Sequence, residues 1–149
     1  MNNPVYVDFY NKYFVCDSDP RMSDFHIFLI ASVVAICKSS KSFQNHTKNL
    51  KTPVSVVAVP DLKIDSTMPD LYTPFFNIEV ETGFKHSYSD LKARIQLSKK
   101  TVIVVLPNED VKARYVKNCS IRKRRLRFCT LGELSNTIYE VFRSLGNKK

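Results

Sequence analysis

The chain has 149 residues, 44% of them hydrophobic, with ten Phe, seven Tyr and no Trp, and a formal net charge of +9. That is enough apolar material for one compact domain with a real core, and it excludes wholesale disorder. Only three glycines are present, Gly83, Gly132 and Gly146, so neither a dinucleotide-binding nor a P-loop type of glycine-rich phosphate cradle can be built.

Residues 5–10, Val-Tyr-Val-Asp-Phe-Tyr, alternate like a short strand, and Asp17-Ser18-Asp19-Pro20 reads as a turn. Ser23 or Asp24 then caps a helix through about Lys38, whose face of Phe25, Phe28, Leu29, Ser32, Val33 and Ile36 has helical spacing. Its apolar run, residues 25–37, spans 13 positions, well short of the ~20 that cross a bilayer. Residues 38–53 are polar and basic and are expected to form a surface loop.

Strand patterns follow at residues 54–59, 61–65 and 75–82, with a proline-bearing turn over 66–74 and Gly83 as the stop. A helix is expected from Ser89 to about Ser98, with Leu91 and Ile95 inward. Residues 101–106 are continuously apolar, as in strands covered on both faces. A short helix near 109–117, a strand at 126–130 and a helix over about 131–145 complete the chain. The order predicts a single mixed α/β domain over residues 1–149.

Charge is unevenly distributed. Residues 1–110 hold twelve Lys/Arg and twelve Asp/Glu, whereas residues 111–149 hold eleven Lys/Arg against Glu133 and Glu140. The excess centres on Arg122, Lys123, Arg124, Arg125 and Arg127. Such a cluster needs a counter-charge, for which nucleic-acid phosphate is the expected partner. A solvated loop or a charge-blunted edge strand is the plainer alternative. The cysteines, Cys16, Cys37, Cys119 and Cys129, show no zinc-ligand spacing and read as buried small hydrophobes in a reducing compartment. A hyperthermophilic source would leave room for a single bridge.

Glu79 and Glu81 stand in an otherwise apolar strand. Alternation places them on one face with Asn77, roughly 6.5–7 Å apart. Asp61 opens the preceding strand and can lie beside Glu79. Carboxylates this close disfavour one another, and Mg2+ or Mn2+ would neutralise them. The same pattern suits the solvated face of a one-sided strand, but the doubly covered strand at 101–106 argues against that. His26, in the apolar helix, reads as a core histidine; His86 is within reach of a substrate.

The run Val59-Pro60-Asp61-Leu62-Lys63-Ile64, a turn, and Asn77-Ile78-Glu79-Val80-Glu81-Thr82-Gly83 resembles the PD-(D/E)XK nuclease superfamily. It is most similar to the variant of archaeal and archaeal-virus nucleases, over roughly residues 23–130. The resemblance implies an αβββαβ restriction-endonuclease-like core with flanking helices. It implies a Mg2+- or Mn2+-dependent deoxyribonuclease, an endonuclease by expectation, in the cytoplasm (of the host, if viral), with a homodimer as one possible state. Asp61, Glu79 and the main-chain carbonyl of Val80 would be the metal ligands. The family's lysine falls at Glu81 here, so a cation must come from elsewhere. Lys92 on the next helix is the first choice, with Lys63 and Lys85 as alternatives; Asp70, in a Pro-Asp pair within the turn, is the second choice to Asp61. A non-catalytic DNA-binding protein and a structural or assembly protein retaining the fold are the competing readings.

Overall fold

The computed structural model describes residues 24–47, 57–58, 70–73, 75–83, 88–119, 121 and 125–146. In chain order these form helices α1 (Asp24–Ser39) and α2 (Lys41–Thr47), and strands β1 (Val57–Ala58), β2 (Leu71–Tyr72) and β3 (Phe76–Val80). Helix α3 (Tyr88–Leu97), strand β4 (Thr101–Leu106), helix α4 (Glu109–Cys119) and strand β5 (Leu126–Thr130) come next, and a 3-10 turn (Leu131–Glu133) leads into α5 (Leu134–Gly146). The protein is a mixed α/β fold.

One five-stranded sheet organises the chain, with strands in the spatial order β1-β2-β3-β4-β5. The first three form an antiparallel meander, and β3, β4 and β5 run parallel. Helices α3 and α4 are therefore the crossovers between parallel neighbours, a connection too long for a hairpin. Helices cover both faces. On one side Leu29, Ile30, Val33, Val34 and Cys37 of α1, Phe43 of α2 and Leu134, Ile138, Val141 and Phe142 of α5 pack on Phe76, Ile78, Val80, Ile103 and Val105. On the other, Leu91 and Ile95 of α3 and Val111, Tyr115 and Cys119 of α4 pack on Val102, Val104 and Leu106. Double cover explains why all six residues of β4 are buried and apolar or Thr.

Two local expectations change. Residues 41–47, expected within the polar loop 38–53, are helical, because Phe43 drives into the core at 4% exposure. Its ring lies 6.3 Å from those of Phe75, Phe76 and Phe142, and one large buried side chain outweighs the polar composition around it. Within the turn expected over 66–74, Leu71 and Tyr72 form β2, paired with Ile78 and Asn77. Thr73 closes this hairpin: its hydroxyl donates to the Phe76 carbonyl at 2.7 Å and accepts from the amides of Phe75 and Phe76. The expected strands at 5–10 and 61–65, and most of 54–59, lie outside the described residues.

Gly83 ends the acidic strand with φ +89°, a backbone state that favours glycine. A Cβ there would stand 3.0 Å from Val111 Cγ1, so the same residue also lets the chain pass close to α4. No helix among the described residues is long and apolar enough to cross a membrane. Cys37, Cys119 and Cys129 are free and buried. Burial pushes the Cys37 thiol up to about 12 and those of Cys119 and Cys129 up to about 11, which leaves them unreactive.

Candidate functional site

The site forms where the meander meets the parallel half of the sheet, at the C-terminal end of β3. Alternation along β3 sends Phe76, Ile78 and Val80 into the first helical layer and puts Asn77 and Glu79 on the side covered by α3 and α4. Glu79 is 3% exposed. The pair Leu71 with Ile78 sets the hairpin register, and one step further places Asp70 opposite Glu79. Asp70 Oδ2 accepts a hydrogen bond from the Val80 amide at 2.8 Å.

Two further groups converge from helices. His26, in the first turn of α1, directs Nε2 at the Val80 carbonyl at 2.9 Å, with Asp70 Oδ2 at 3.6 Å. A carbonyl only accepts, so that nitrogen carries the proton. Arg94 of α3 donates from Nε to Glu79 Oε2 at 3.2 Å and from Nη2 to Glu81 Oε1 at 3.5 Å. Among the described residues, the other Glu79 oxygen, Oε1, is buried with no hydrogen-bond partner.

That orphaned oxygen is costly, since a buried acceptor without a partner forfeits its hydration. Burial, and then the charge of Asp70, push the Glu79 carboxyl well above its ordinary value; Arg94 opposes them and Glu81 adds to them. For His26, burial is the largest single influence and acts downward. The hydrogen bond and charge of Asp70, the charge of Glu81 and the Val80 carbonyl outweigh it, and the imidazole ends above its usual value. The site thus carries more negative charge than its surroundings neutralise.

The residues singled out in the sequence separate into three groups. Glu79, Val80 and Glu81 lie together, Glu81 just past the strand end, partly exposed and bridged to Glu79 by Arg94. Asp61, Lys63, Lys85, His86, Arg122, Lys123 and Arg124 lie outside the described residues; among the described residues, Asp70 is the aspartate whose charge acts on Glu79. Lys92 stands apart: it makes no ion pair with Glu79 or Glu81, its charge acts on Cys119 of α4, and Arg94 is the cation that α3 turns to the acids.

Helical spacing carries only part of that signal. Leu91 and Ile95 are buried, and Lys92 and Arg94 flank their face at about 80° on opposite sides, with Ser98 on the Arg94 side. The bond from the Asn77 side-chain amide to Ser98 Oγ, at 3.2 Å, shows that the Arg94 side is the one that meets β3. His26 could have been found the same way, one turn before the buried Leu29 and Ile30.

Arg125 lies toward the opposite end of the sheet, whereas Arg127 is level with Ile78, one residue short of Glu79. The Arg125 carbonyl accepts from the Val102 amide at 2.8 Å, whereas the Glu81 amide donates to the Val105 carbonyl at 3.0 Å. Three residues of β4 separate the two levels, roughly 10 Å at the usual rise. β5 also stands two strands away from β3.

Among the described residues, no three His, Cys, Asp or Glu side chains are grouped to hold a metal by themselves. A hard divalent ion does not require three: Mg2+ is commonly held by one or two carboxylates, its remaining positions filled by water and substrate phosphate. Asp70 and Glu79 offer those two carboxylates, Glu79 Oε1 has no other partner among the described residues, and the Val80 carbonyl keeps a second lone pair beside its bond to His26. The donor set fits an oxygen-loving cation. Comparisons with family models, curated proteins and solved structures returned no match.

Proposed function

We propose that the protein is a Mg2+- or Mn2+-dependent hydrolase of phosphodiester bonds in DNA. The observation that carries the reading is the Glu79 carboxylate: buried in a sheet, set opposite Asp70, with one oxygen unpartnered. The rest of that layer is largely apolar, with Arg94 as the ion-pair partner of the buried acid. The order of helix, antiparallel meander, crossover helix and parallel strand also supports a restriction-endonuclease-like core, with α2 as an addition.

Asp70 supplies the carboxylate that the resemblance gave to Asp61, Glu79 the second, and the Val80 carbonyl a third oxygen. The bound cation would lower the pKa of a water and offset charge on the phosphate being cut. Asp70 is held by the Val80 amide and His26 by the Val80 carbonyl, so the donors are oriented before any ligand arrives. On Glu79, Arg94 donates only to Oε2, and Oε1 is left without a partner among the described residues.

The test is cleavage of supercoiled and linear duplex DNA in Mg2+ or Mn2+, beside Asp70→Asn. Wild type is expected to cut and Asp70→Asn to lose at least about 100-fold, a few kcal/mol of transition-state stabilisation. Wild-type protein inert with both metals overturns the reading.

A non-catalytic DNA-binding role is favoured by one observation, the placement of Arg125 and Arg127 at β5, two strands away from the acidic strand. The two roles are compatible if the basic strand holds the duplex and the acidic strand cuts it. Arg125→Gln with Arg127→Gln is then expected to weaken DNA binding and reduce the slope of log K against log salt by about 1 for each phosphate no longer neutralised. The rate at saturating DNA should not change. An unaltered salt slope would remove these arginines from the interface.

A further inference from the structure

We infer that Arg94 is an internal counter-cation that competes with the divalent ion for Glu79 and Glu81. The inference rests on the metal-dependent reading above and adds to it what balances the acids when no ion is bound. Three acids, Asp70, Glu79 and Glu81, act on one another at the end of β3, and Glu79 is almost fully buried. Arg94 reaches two of them and divides itself: Nε is on Glu79 and Nη2 on Glu81, at 3.2 and 3.5 Å.

This divided geometry is unlike a structural arginine–carboxylate fork, in which two donors meet the two oxygens of one carboxylate. Here each acid receives one nitrogen, Glu79 Oε1 stays unpartnered among the described residues, and the second contact is long. Such a pair neutralises charge without saturating Glu79, so a doubly charged ion can out-compete it. A cation bound to Glu79 would also be repelled by a fixed positive charge a few ångströms away. The guanidinium must therefore yield as the ion enters. Its partly exposed side chain, 22% accessible, gives it room to do so, and the displaced donors remain beside the place where a phosphate would lie. A purely structural Arg94 would instead support the metal donors, and its loss would weaken ion binding.

The two roles predict opposite signs in a measurement that needs no DNA and no cleavage. Mn2+ alone is titrated calorimetrically into the metal-free protein, into Arg94→Gln and into Arg94→Lys. Arg94→Gln is expected to bind Mn2+ at least tenfold more tightly than wild type. Arg94→Lys, which keeps the charge on a shorter reach, should fall between them. In parallel, the Arg94 Nε–H resonance of 15N-labelled wild type is followed during Mg2+ titration; it should shift and lose exchange protection as the ion displaces it. This second readout stands even if Arg94→Gln fails to fold. Equal or weaker Mn2+ binding by folded Arg94→Gln, or an Arg94 resonance unmoved at Mg2+ saturation, overturns the inference and leaves the hydrolase reading intact. Absence of Mn2+ binding by wild type and both variants overturns the two together.

Discussion

Glu79→Gln is expected to reduce metal-dependent DNA cleavage by about 1,000-fold or more while making the metal-free protein more heat-stable at pH 8. The first effect follows from losing a buried carboxylate with an oxygen that has no partner among the described residues. The second follows from linkage. Burial, with the charge of Asp70, raises the Glu79 carboxyl well above its ordinary value in the folded chain. Between that ordinary value and the folded one, the native protein holds a proton that the unfolded chain has released. Stability therefore falls as pH rises through that window. Gln keeps the shape, still accepts from Arg94 and has no proton to lose, so its stability should not fall there.

His26 contributes in the same direction. Its folded value is raised, so the stability it provides is complete below about 6.5 and lost as pH climbs through the raised value. Glu79→Gln should retain that smaller decline, because the groups that raise His26 are Asp70, Glu81 and the Val80 carbonyl. Thermal melts in chelator at pH 5 and pH 8 separate the two, at about 2–4 °C for each kcal/mol in a domain of this size. A Gln variant that melts below wild type at pH 8 would mean that the ion pair with Arg94 outweighs the cost of burial. A divalent cation would then no longer be needed to account for the buried acid.

Phe142→Ala is expected to cost about 3–5 kcal/mol, a large share of the 5–15 kcal/mol that holds a typical domain together. Phe142 is 2% exposed and is the hub of an aromatic cluster. His46 stacks on it at 3.9 Å, and the rings of Phe75, Phe76 and Phe43 meet it edge-on at 5.2, 5.8 and 6.3 Å. It joins α5, α2 and the start of β3, three elements that cannot all close over the space left by an alanine. Urea denaturation should show a lower midpoint with an unchanged slope. A loss under about 1 kcal/mol would mean that the cluster collapses around the gap. Phe142 lies on the opposite face of the sheet from Glu79, so Mn2+ affinity of the folded variant should match wild type.

Long elements were readable from apolar spacing alone. Helix α1, the pair Leu91 and Ile95 of α3, the continuous run of β4 and the alternation of β3 all appear where periodicity puts them, because each buries a face or a whole strand, and burial sets the pattern. Short elements were not. β2 is two residues long and set among prolines, with no period to read, and it exists because Thr73 closes a hairpin onto β3. Helix α2 is held by Phe43 against rings more than thirty positions away in sequence.

The candidate site divides along the same line. Glu79 and Glu81 announce themselves as charges in an apolar strand, and the chemistry of paired carboxylates follows from their type. Their partners do not. Asp70 reaches Glu79 through a hairpin register, His26 reaches Val80 across 54 positions of chain, and Arg94 rather than Lys92 reaches the acids through the phase of one helix. Sequence alone determined the mixed α/β class, the doubly covered sheet and the acidic strand, since these depend on which side chains avoid water. Only the tertiary structure brought Asp70 and His26 to that strand and turned Arg94 rather than Lys92 toward its acids. Register and helix phase shift a charge by several ångströms, and Coulomb and hydrogen-bond energies change sharply over that distance.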